Sequence, residues 1–454
     1  MESIIKKALE LAAVEYLDIR LEESVITQIV YSGKELEKAG TNKKKGGSVR
    51  AFHRGSFGFA TFNSIDELFK AVEEAQRLAR ISETKGPGLK RVDPVKDRVK
   101  AHVKDNPLEH SLEEKVDLAR RYNDIILGAG EKVQSSRVLY EDRLVKTYFY
   151  STEGTELEIE KIYCGVSFAS FARDGSNVQM AFNSFGDQRG FETVLNHETD
   201  VEEVVKHSLD LLKAEKVEGG VYTVVLDPRI AGTFIHEAFG HLSEADHMAR
   251  NEKLKKIMER GARFGPDYLN VIDDGSIVGE RGYIGYDDEG VRARKNYLIK
   301  DGVLVGRLHS RQTAELMGED VTGNARAIDF SYMPIVRMTV TYIDRGDKDF
   351  DELLEGIERG LYVIGALGGQ TELEMFTFSA ERAYKIENGR IGEMVRDVVL
   401  SGNVFETLKN IEGIGKDLVL FGGLGGCGKR GQFPLPVSDG SPHIRIKNVV
   451  IGGK

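Results

Sequence analysis

Two histidines and a glutamate stand close together in the segment His236-Glu237-Ala238-Phe239-Gly240-His241. Neutral imidazole nitrogens are common zinc ligands, and a neighbouring carboxylate can take a proton from a water that the metal activates. We therefore predict a metal site in which His236 and His241 are ligands and Glu237 is the general base of a hydrolytic reaction. The alternative is that both histidines are ordinary helix residues, one solvated and one buried.

The spacing of the two histidines differs from the i, i+4 spacing of many zinc hydrolases. At i and i+5 they point about 140° apart around a regular α-helix, so both cannot reach one metal ion. A π-type turn, which is wider by one residue, would return them to one face, and Gly240 is well placed to permit it. We predict such a turn between Ala238 and His241. The surrounding helix is otherwise apolar, which makes uncompensated polar groups costly and favours the metal site.

A third ligand candidate is Cys427, in the glycine-rich segment LVLFGGLGGCGKRGQFPLPVSDG. Taken alone, this thiol would be interpreted as a small buried residue in a flexible loop, since glycines allow close approach and positive φ. With two histidines that lack a third ligand, Cys427 becomes the best partner, and two histidines, one cysteine and a water form a plausible catalytic zinc shell with one ion per chain. The other cysteine, Cys164, alternates with apolar residues and is expected in the core.

The elements that must position these residues are marked by capping and turn signals. A strand followed by Asp227-Pro228 predicts the start of the helix that carries the histidines. Other helix starts are predicted where a capping residue precedes a glutamate by three positions: Ser64/Glu67, Ser111/Glu114, Asp200/Glu203, Asp349/Glu352 and Asn403/Glu406. Hairpins are predicted at Arg54-Gly55, Glu153-Gly154, Asp174-Gly175, Asp301-Gly302 and Asn388-Gly389.

These signals predict an α+β protein of antiparallel sheets with segregated helices. The main domain boundary is expected at 215–220, where a helix predicted from Asp200 to Lys213 gives way to a Gly-Gly pair and a new strand. This divides the chain into an N-terminal domain, 1–215, and a C-terminal catalytic domain, 216–454. A softer linker is expected at 83–99.

Composition excludes several functional classes. The 454 residues carry a formal net charge of -10, and 30% of them are charged. The acidic balance argues against nucleic-acid binding, which demands a basic face. Two cysteines in so long a chain argue against a disulfide scaffold and indicate a reducing compartment. No stretch is long and apolar enough to predict a membrane helix, and the first residues indicate an amphipathic helix rather than a signal peptide, so a cytoplasmic location is expected.

The motifs HEAFGH and CGKRGQ resemble those of the TldD/PmbA family of metallopeptidases, specifically its metal-bearing TldD-like branch. Further similar stretches are DDEGVRARKNYLIKDGVLVGRLHSR, TGNARA, MPIVRMTVTYI and FTFSAERAYKIENGRI. The resemblance spans nearly the whole chain. It implies a zinc peptidase that acts on unfolded or flexible polypeptides and whose two subunits enclose a chamber, either as a homodimer or with a metal-free PmbA-like partner.

Two other functions stay open. One is a noncatalytic peptide-binding or regulatory subunit, although an intact Glu237 argues against a purely structural metal site. The other is a zinc amidohydrolase that acts on small molecules, which would need a tight pocket around the metal.

Several further residues are weaker candidates. His247, Arg326, Tyr332 and Arg337 could stabilise an oxyanion by their chemical type, but each such residue is more often structural. The segment 365–370, GALGGQ, could bring backbone amides near a peptide or could be a flexible connector. The acids Asp287, Asp288 and Glu289 are expected to form a solvated turn rather than a second metal site.

Overall fold

The computed structural model describes residues 2–81, 86–249, 251–372 and 374–453. Its α-helices are α1 (Glu2–Leu9), α2 (Leu68–Ala79), α3 (Leu112–Leu127), α4 (Glu198–Leu211), α5 (Pro228–Phe234), α6 (Ala245–Met248), α7 (Glu252–Ile257), α8 (Arg311–Met317), α9 (Phe350–Leu354) and α10 (Val404–Lys409). A π-helical segment spans Ile235–Gly240, and 3₁₀ turns span Ile65–Glu67, Pro107–Glu109, Phe191–Val194 and His241–Ser243.

The strands of the first half are β1 (Tyr16–Ser32), β2 (Glu35–His53), β3 (Ser56–Phe62), β4 (Lys96–Val99), β5 (Val133–Ser151), β6 (Glu156–Asp174), β7 (Asn177–Asp187), β8 (Glu215–Lys216) and β9 (Gly220–Leu226). The later strands are β10 (Val271–Asp274), β11 (Lys295–Lys300), β12 (Val303–Leu304), β13 (Ala325–Arg326), β14 (Ile335–Val336), β15 (Val340–Ile343), β16 (Arg359–Glu372), β17 (Met375–Glu387), β18 (Arg390–Arg396), β19 (Val398–Asn403), β20 (Ile411–Ile414), β21 (Val419–Phe421), β22 (Cys427–Lys429), β23 (Gln432–Leu435), β24 (Ser438–Ser441) and β25 (Ile444–Gly453).

The N-terminal half is built on a seven-stranded sheet in which the order β3-β2-β1-β5-β6-β4 is extended by β7, which also pairs with β6. Helices α1 and α2 pack on one end of a face of this sheet, and α3 and α4 pack on the other end. Along β1, Leu17, Ile19 and Ile29 are all fully buried beneath these helices. The period-2 alternation of a strand places these odd-numbered residues on one face.

The opposite face of β1 is charged but also buried, because it packs against the C-terminal half. Arg50 on β2 lies 2.7 Å from Asp18 and 2.6 Å from Glu289, and Arg20 lies 3.2 Å from Asp288. The prediction that Asp287, Asp288 and Glu289 form a solvated turn is therefore wrong. Desolvated carboxylates persist there because arginines and backbone amides satisfy them.

The C-terminal half contains an eight-stranded sheet in the order β16-β9-β25-β19-β17-β18-β8, with β20 beside β25. Because β16 also pairs with β17, five of these strands close into a ring. A second sheet has the order β12-β11-β10-β15-β24-β21, and β13–β14 and β22–β23 form separate pairs. Most pairs are antiparallel, so the α+β prediction is confirmed.

Most local predictions also agree with the structure. The hairpins turn where the sequence predicts, and capping boxes form at Ser64, Ser111 and Asp349. The helix predicted from Asp200 to Lys213 instead spans Glu198–Leu211 and follows His197, whose Nδ1 lies 2.7 Å from an Asp200 oxygen. Asp200 is thus inside the helix and does not cap it.

The two segments predicted as the domain boundary and the softer linker differ in structure. The segment 215–220 contains β8, which pairs with β18 of the C-terminal sheet. Of the softer linker, residues 83–85 lie outside the described residues, 86–95 contain no helix or strand, and β4 begins at Lys96. Within the described ranges, no helix combines the length and apolar character needed to cross a membrane.

Candidate metal centre

The histidine-bearing helix begins where the sequence predicts. Asp227 caps it, since its Oδ1 accepts hydrogen bonds from the backbone amides of Ile230 at 3.0 Å and Gly365 at 3.1 Å. After α5, the chain widens into the π-helical segment Ile235–Gly240, where the His241 amide donates to the carbonyl of His236. The predicted π turn is confirmed, although it begins earlier than Ala238.

This wider turn brings the two imidazoles to one face. Their ring centroids lie 5.3 Å apart with the ring planes at 90°. A ring nitrogen of His236, one of His241 and the Cys427 sulfur all lie within 4.8 Å of one another. The sulfur is 3.3 Å from His241 Nε2, close to the ligand-to-ligand separation of about 3.3–3.8 Å in a tetrahedral zinc site.

Gly240 is required for packing rather than for an unusual backbone angle. Its φ of -56° and ψ of -50° are ordinary helical values. A Cβ on this residue would lie 2.1 Å from the sulfur of Met338, which is fully buried. The sequence correctly identified Gly240 as special, but the reason is close approach to a core side chain.

Cys427 begins β22, and both sides of its glycine-rich segment are anchored. The Leu424 amide donates to Ser184 Oγ of β7 at 2.8 Å. Arg337 Nη2 donates to the Cys427 carbonyl at 2.7 Å. A Cβ on Gly426 would lie 2.4 Å from the Leu435 carbonyl oxygen. The glycines therefore allow close contact with neighbouring backbone.

Each histidine has a carboxylate behind it. His236 Nδ1 lies 2.7 Å from Asp439 Oδ1, and His241 Nδ1 lies 2.9 Å from Glu244 Oε2. A carboxylate at one ring nitrogen fixes the ring orientation and leaves the other nitrogen for a metal. The donor set and these carboxylates fit a divalent metal ion of the zinc type.

Glu244 also joins the histidine segment to the cysteine strand. It is fully buried, and Lys429 Nζ lies 3.0 Å from its Oε2. The same ammonium group lies 2.6 Å from Asp246 and donates to the Val336 carbonyl at 2.9 Å. Glu244, Asp246 and His247 form a second group of potential ligands, but Lys429 already supplies the positive charge between the two acids.

In the metal-free chain, the three donors shift one another's pKa values, because the thiolate and each of the two imidazolium groups attract each other. For Cys427, burial raises the pKa, but His236 and His241 outweigh burial and lower it to about 6. Burial lowers the pKa of His241, whereas Glu244 and Cys427 raise it to about 10. The pKa of His236 is also raised, because Asp439 and Cys427 outweigh the effect of burial. A metal cation would compete with protons for these donors.

Glu237 lies beside the donors and faces open space. Its carboxylate is 3.8 Å from His241 Nε2, and the side chain is 33% exposed. Within the described residues, no hydrogen bond ties this carboxylate to another group. Cavities of about 250 Å³ and 380 Å³ both include Glu237 in their walls. A substrate group could therefore approach the carboxylate from either side.

The two cavities share their walls with β16 and the cysteine segment. Gly365 and Ala366 line the first cavity, and Gly369, Gln370 and Thr371 line the second. The whole segment 365–370 lies within β16. It is part of a strand, so the interpretation of this segment as a flexible connector is wrong.

The oxyanion candidates divide into structural and exposed residues. Arg326 donates to the Met338 and Pro436 carbonyls, and Arg337 donates to the carbonyls of Cys427 and Gln432, so both hold backbone in place. Tyr332 is 40% exposed. His247 lines the second cavity, 3.4 Å from Glu244.

Sequence reasoning missed Glu244, Lys429 and Asp439. Two of them had a local signal, because Glu244 follows His241 by three residues and Lys429 follows Cys427 by two. Asp439 had none, since only the packing of β24 against α5 brings it to the helix.

Three potential metal ligands beside a partly exposed glutamate are typical of metal-dependent hydrolases, and sequence comparison identifies the family. The chain matches the descriptions "PmbA/TldA metallopeptidase domain 1" over residues 17–79, "central domain" over 105–215 and "C-terminal domain" over 219–453. It therefore belongs to the PmbA/TldD family of metallopeptidases, as the motifs indicated.

The similarity to individual relatives extends over nearly the full length of both chains. A metalloprotease of Synechocystis is 43% identical over 97% of this chain and 95% of that protein. A protein of Saccharolobus solfataricus named zinc metalloprotease TldD homolog is 30% identical over 100% of both chains.

Solved structures share the fold. A protein from Thermotoga maritima, described as a putative modulator of DNA gyrase, has a TM-score of 0.81 at 20% identity and covers 99% of this chain and 100% of its own. TldE from Thermococcus kodakarensis has a TM-score of 0.79 at 19% identity and covers 100% of both chains. At these identities the likeness supports the architecture alone.

Proposed function

We propose that this protein is a zinc-dependent peptidase that hydrolyses unfolded or flexible polypeptides, with His236, His241 and Cys427 as the metal ligands. A bound zinc ion supplies Lewis-acid chemistry, which polarises a carbonyl and makes water more acidic. Glu237 accepts the proton of the attacking water and returns it to the leaving amine. The observation that carries the proposal is the convergence of the three donors beside the partly exposed carboxylate of Glu237.

The open edge of β16 supports a polypeptide substrate. Strand β9 pairs with β16 only over Gly360 to Val363, and β17 pairs with its other edge as far as Glu372. Among the described residues, no strand pairs with the first edge after Val363. An extended peptide could add to this edge through main-chain hydrogen bonds, which are indifferent to sequence. The edge runs past both cavities, so such a peptide would cross Glu237.

The same geometry argues against the two alternatives. A small-molecule amidohydrolase would need an enclosed pocket, whereas the cleft here extends to both sides of Glu237. A noncatalytic subunit would have no use for a partly exposed glutamate beside the metal donors. From the sequence patterns we also propose one zinc per chain, a division of the chain near residue 215 and a cytoplasmic location, and from the family resemblance a dimer.

The decisive experiment compares the wild type with Glu237→Gln, and with Glu358→Gln as a control that makes the same change at an exposed site. Metal content per chain and hydrolysis of casein are measured for each, before and after chelation. We expect Glu237→Gln to keep its zinc and to lose about a hundredfold or more in rate. Wild-type turnover in this variant would disprove the general-base role. Zinc without cleavage in the wild type would favour the noncatalytic alternative.

A further inference from the structure

Arg229 lines the cavity beside the potential metal ligands and has no ion-pair partner among the described residues. Arg229 is the second residue of α5, and its side chain faces the same cavity as His236 and Glu237. The guanidinium carbon lies 5.7 Å from the ring centroid of Phe185 and 5.7 Å from that of Phe421. Phe185 belongs to β7 and Phe421 to β21, so aromatic rings from both halves of the chain lie near the guanidinium.

The neighbouring acids are occupied elsewhere. Among the described residues, no carboxylate oxygen lies within 4.0 Å of an Arg229 nitrogen, and no hydrogen bond involves its side chain. Asp227 accepts the amides of Ile230 and Gly365. Glu381 lies 2.8 Å from Arg382. Burial is the main influence on Arg229 and lowers its pKa, but a guanidinium stays charged at any physiological pH.

We infer that Arg229 is a specificity residue that binds a carboxylate of the substrate peptide, an inference that rests on the proposed peptidase function. A half-buried guanidinium without a partner has lost hydration that a bidentate carboxylate would replace. That carboxylate belongs either to an Asp or Glu side chain or to the free C-terminus of the peptide. Both sources present the same chemical group.

The position of Arg229 fixes where the carboxylate must lie. Glu237 follows Arg229 by eight positions, which corresponds to roughly 12 Å along a helix. An extended peptide covers this distance in about three to four residues, and the length of the arginine side chain shortens it. The carboxylate should therefore lie about two to four residues from the cleaved bond.

The preference should apply on one side of the cleaved bond only. The second cavity contains one lysine, Lys429, and that lysine already contacts Glu244 and Asp246. A carboxylate on that side would meet no comparable free cation among the described residues. A preference confined to one side would distinguish Arg229 from a general attraction of the cleft for acidic peptides.

The test uses unstructured fluorescence-quenched peptides that differ only in one position. One series moves a single Glu, matched with Gln, along the peptide, and a second series compares a free C-terminus with its amide. The wild type, Arg229→Gln and Arg229→Glu are measured beside Arg390→Gln, which removes a positive charge at an exposed site away from the cleft. Zinc content and thermal unfolding of every variant verify that the site and fold persist.

We expect the wild type and Arg390→Gln to cleave one acidic peptide about ten- to a hundredfold faster, in kcat/KM, than its neutral match. Arg229→Gln should remove this ratio, so that the acidic and the neutral peptide of a matched pair are cleaved at equal kcat/KM, and Arg229→Glu should favour a Lys in the same position. If the Glu/Gln series shows the higher rate, the carboxylate is that of a side chain. If the series of free and amidated C-termini shows it, the carboxylate is that of the C-terminus. Equal cleavage of all matched pairs by the wild type would overturn the inference and leave the peptidase function intact. Absence of cleavage of every peptide and of casein would instead overturn the proposed function on which the inference rests.

Discussion

At the scale of single residues, the candidate site includes a fully buried carboxylate behind His241, that of Glu244. Glu244 holds His241 Nδ1 at 2.9 Å and is itself held by Lys429 at 3.0 Å. Such a carboxylate fixes the ring orientation and raises the basicity of the ligand nitrogen. Because the glutamate is fully buried, its geometry is set by these two contacts rather than by solvent.

Replacing this carboxylate should weaken metal binding. We expect Glu244→Gln to lower zinc affinity about tenfold or more, because the neutral amide neither polarises His241 nor balances Lys429. Affinity is measured by competition with a chromophoric chelator, with the exposed Glu259→Gln as the matched control. An unchanged affinity in Glu244→Gln would show that His241 needs no support or is not a ligand.

The two cysteines provide an internal comparison for the third ligand. Cys427 is 3% exposed where it lines the first cavity, whereas Cys164 is fully buried away from both cavities and burial raises the pKa of its thiol. We expect iodoacetamide to modify Cys427 in the metal-free protein, and zinc to slow this reaction at least about tenfold, because a coordinated thiolate is shielded. Peptide mapping by mass spectrometry reads both sites, and Cys164 should stay unmodified throughout. Unchanged modification of Cys427 at saturating zinc would exclude it as a ligand.

At the scale of elements, the π-helical segment sets the register of both histidines. It is possible because Gly240 lets the helix approach Met338, whose sulfur would lie 2.1 Å from an added Cβ. Alanine is the better helix former by about 1 kcal/mol, but a clash in a packed core costs about 1–3 kcal/mol. The cost of the clash is therefore expected to exceed the gain in helix propensity.

Gly240→Ala should thus lower the free energy of unfolding by up to about 2 kcal/mol and reduce zinc content. Urea unfolding measures the first effect, with Gly425→Ala as the control, because nothing lies within 4 Å of a Cβ at Gly425. In a Met338→Ala background the cost should shrink, since the clashing atom is gone. An equal cost in both backgrounds would mean that Met338 is not the reason for the glycine.

At the scale of the whole molecule, buried charges join the N-terminal sheet to the C-terminal half. Arg50 bridges Asp18 and Glu289, and the backbone amide of Arg311 donates to the other Glu289 oxygen at 2.6 Å. Next to them, burial raises the pKa of Asp287 to about 8, and Glu289 adds to the effect. Asp287 accepts the backbone amides of Glu289, Val291 and Ala325, so its protonation is expected to affect the turn that carries Glu289.

The sign of the pH dependence follows from the direction of that shift. Between about pH 4 and 8 the folded chain holds a proton on Asp287 that the unfolded chain releases, so stability falls as pH rises. The contribution is at most about 1.4 kcal/mol per pH unit for one proton. We expect Asp287→Asn to reduce the slope of unfolding free energy against pH across this interval, measured by urea unfolding. The exposed Asp301→Asn should keep the wild-type slope, and an unchanged slope in Asp287→Asn would assign the dependence to another group.

The amino-acid sequence by itself determined the features that depend on neighbours along the chain. Helix caps such as Ser111, the hairpin turns and the π turn at His236 all follow from residue spacing and backbone hydrogen bonding. The candidate donors could be selected by chemical type, and Cys427 only because two histidines lacked a third partner.

Only the tertiary structure decided which distant groups meet. Asp439 behind His236, Met338 against Gly240 and the buried turn at 287–289 each depend on contacts between elements far apart in sequence. Periodicity gives the two faces of a strand but not what covers them, so the charged face of β1 carried no signal that it would be buried. Arg229 is the clearest case, because only the packing of distant elements shows that no carboxylate oxygen of the described residues lies within 4.0 Å of its guanidinium nitrogens.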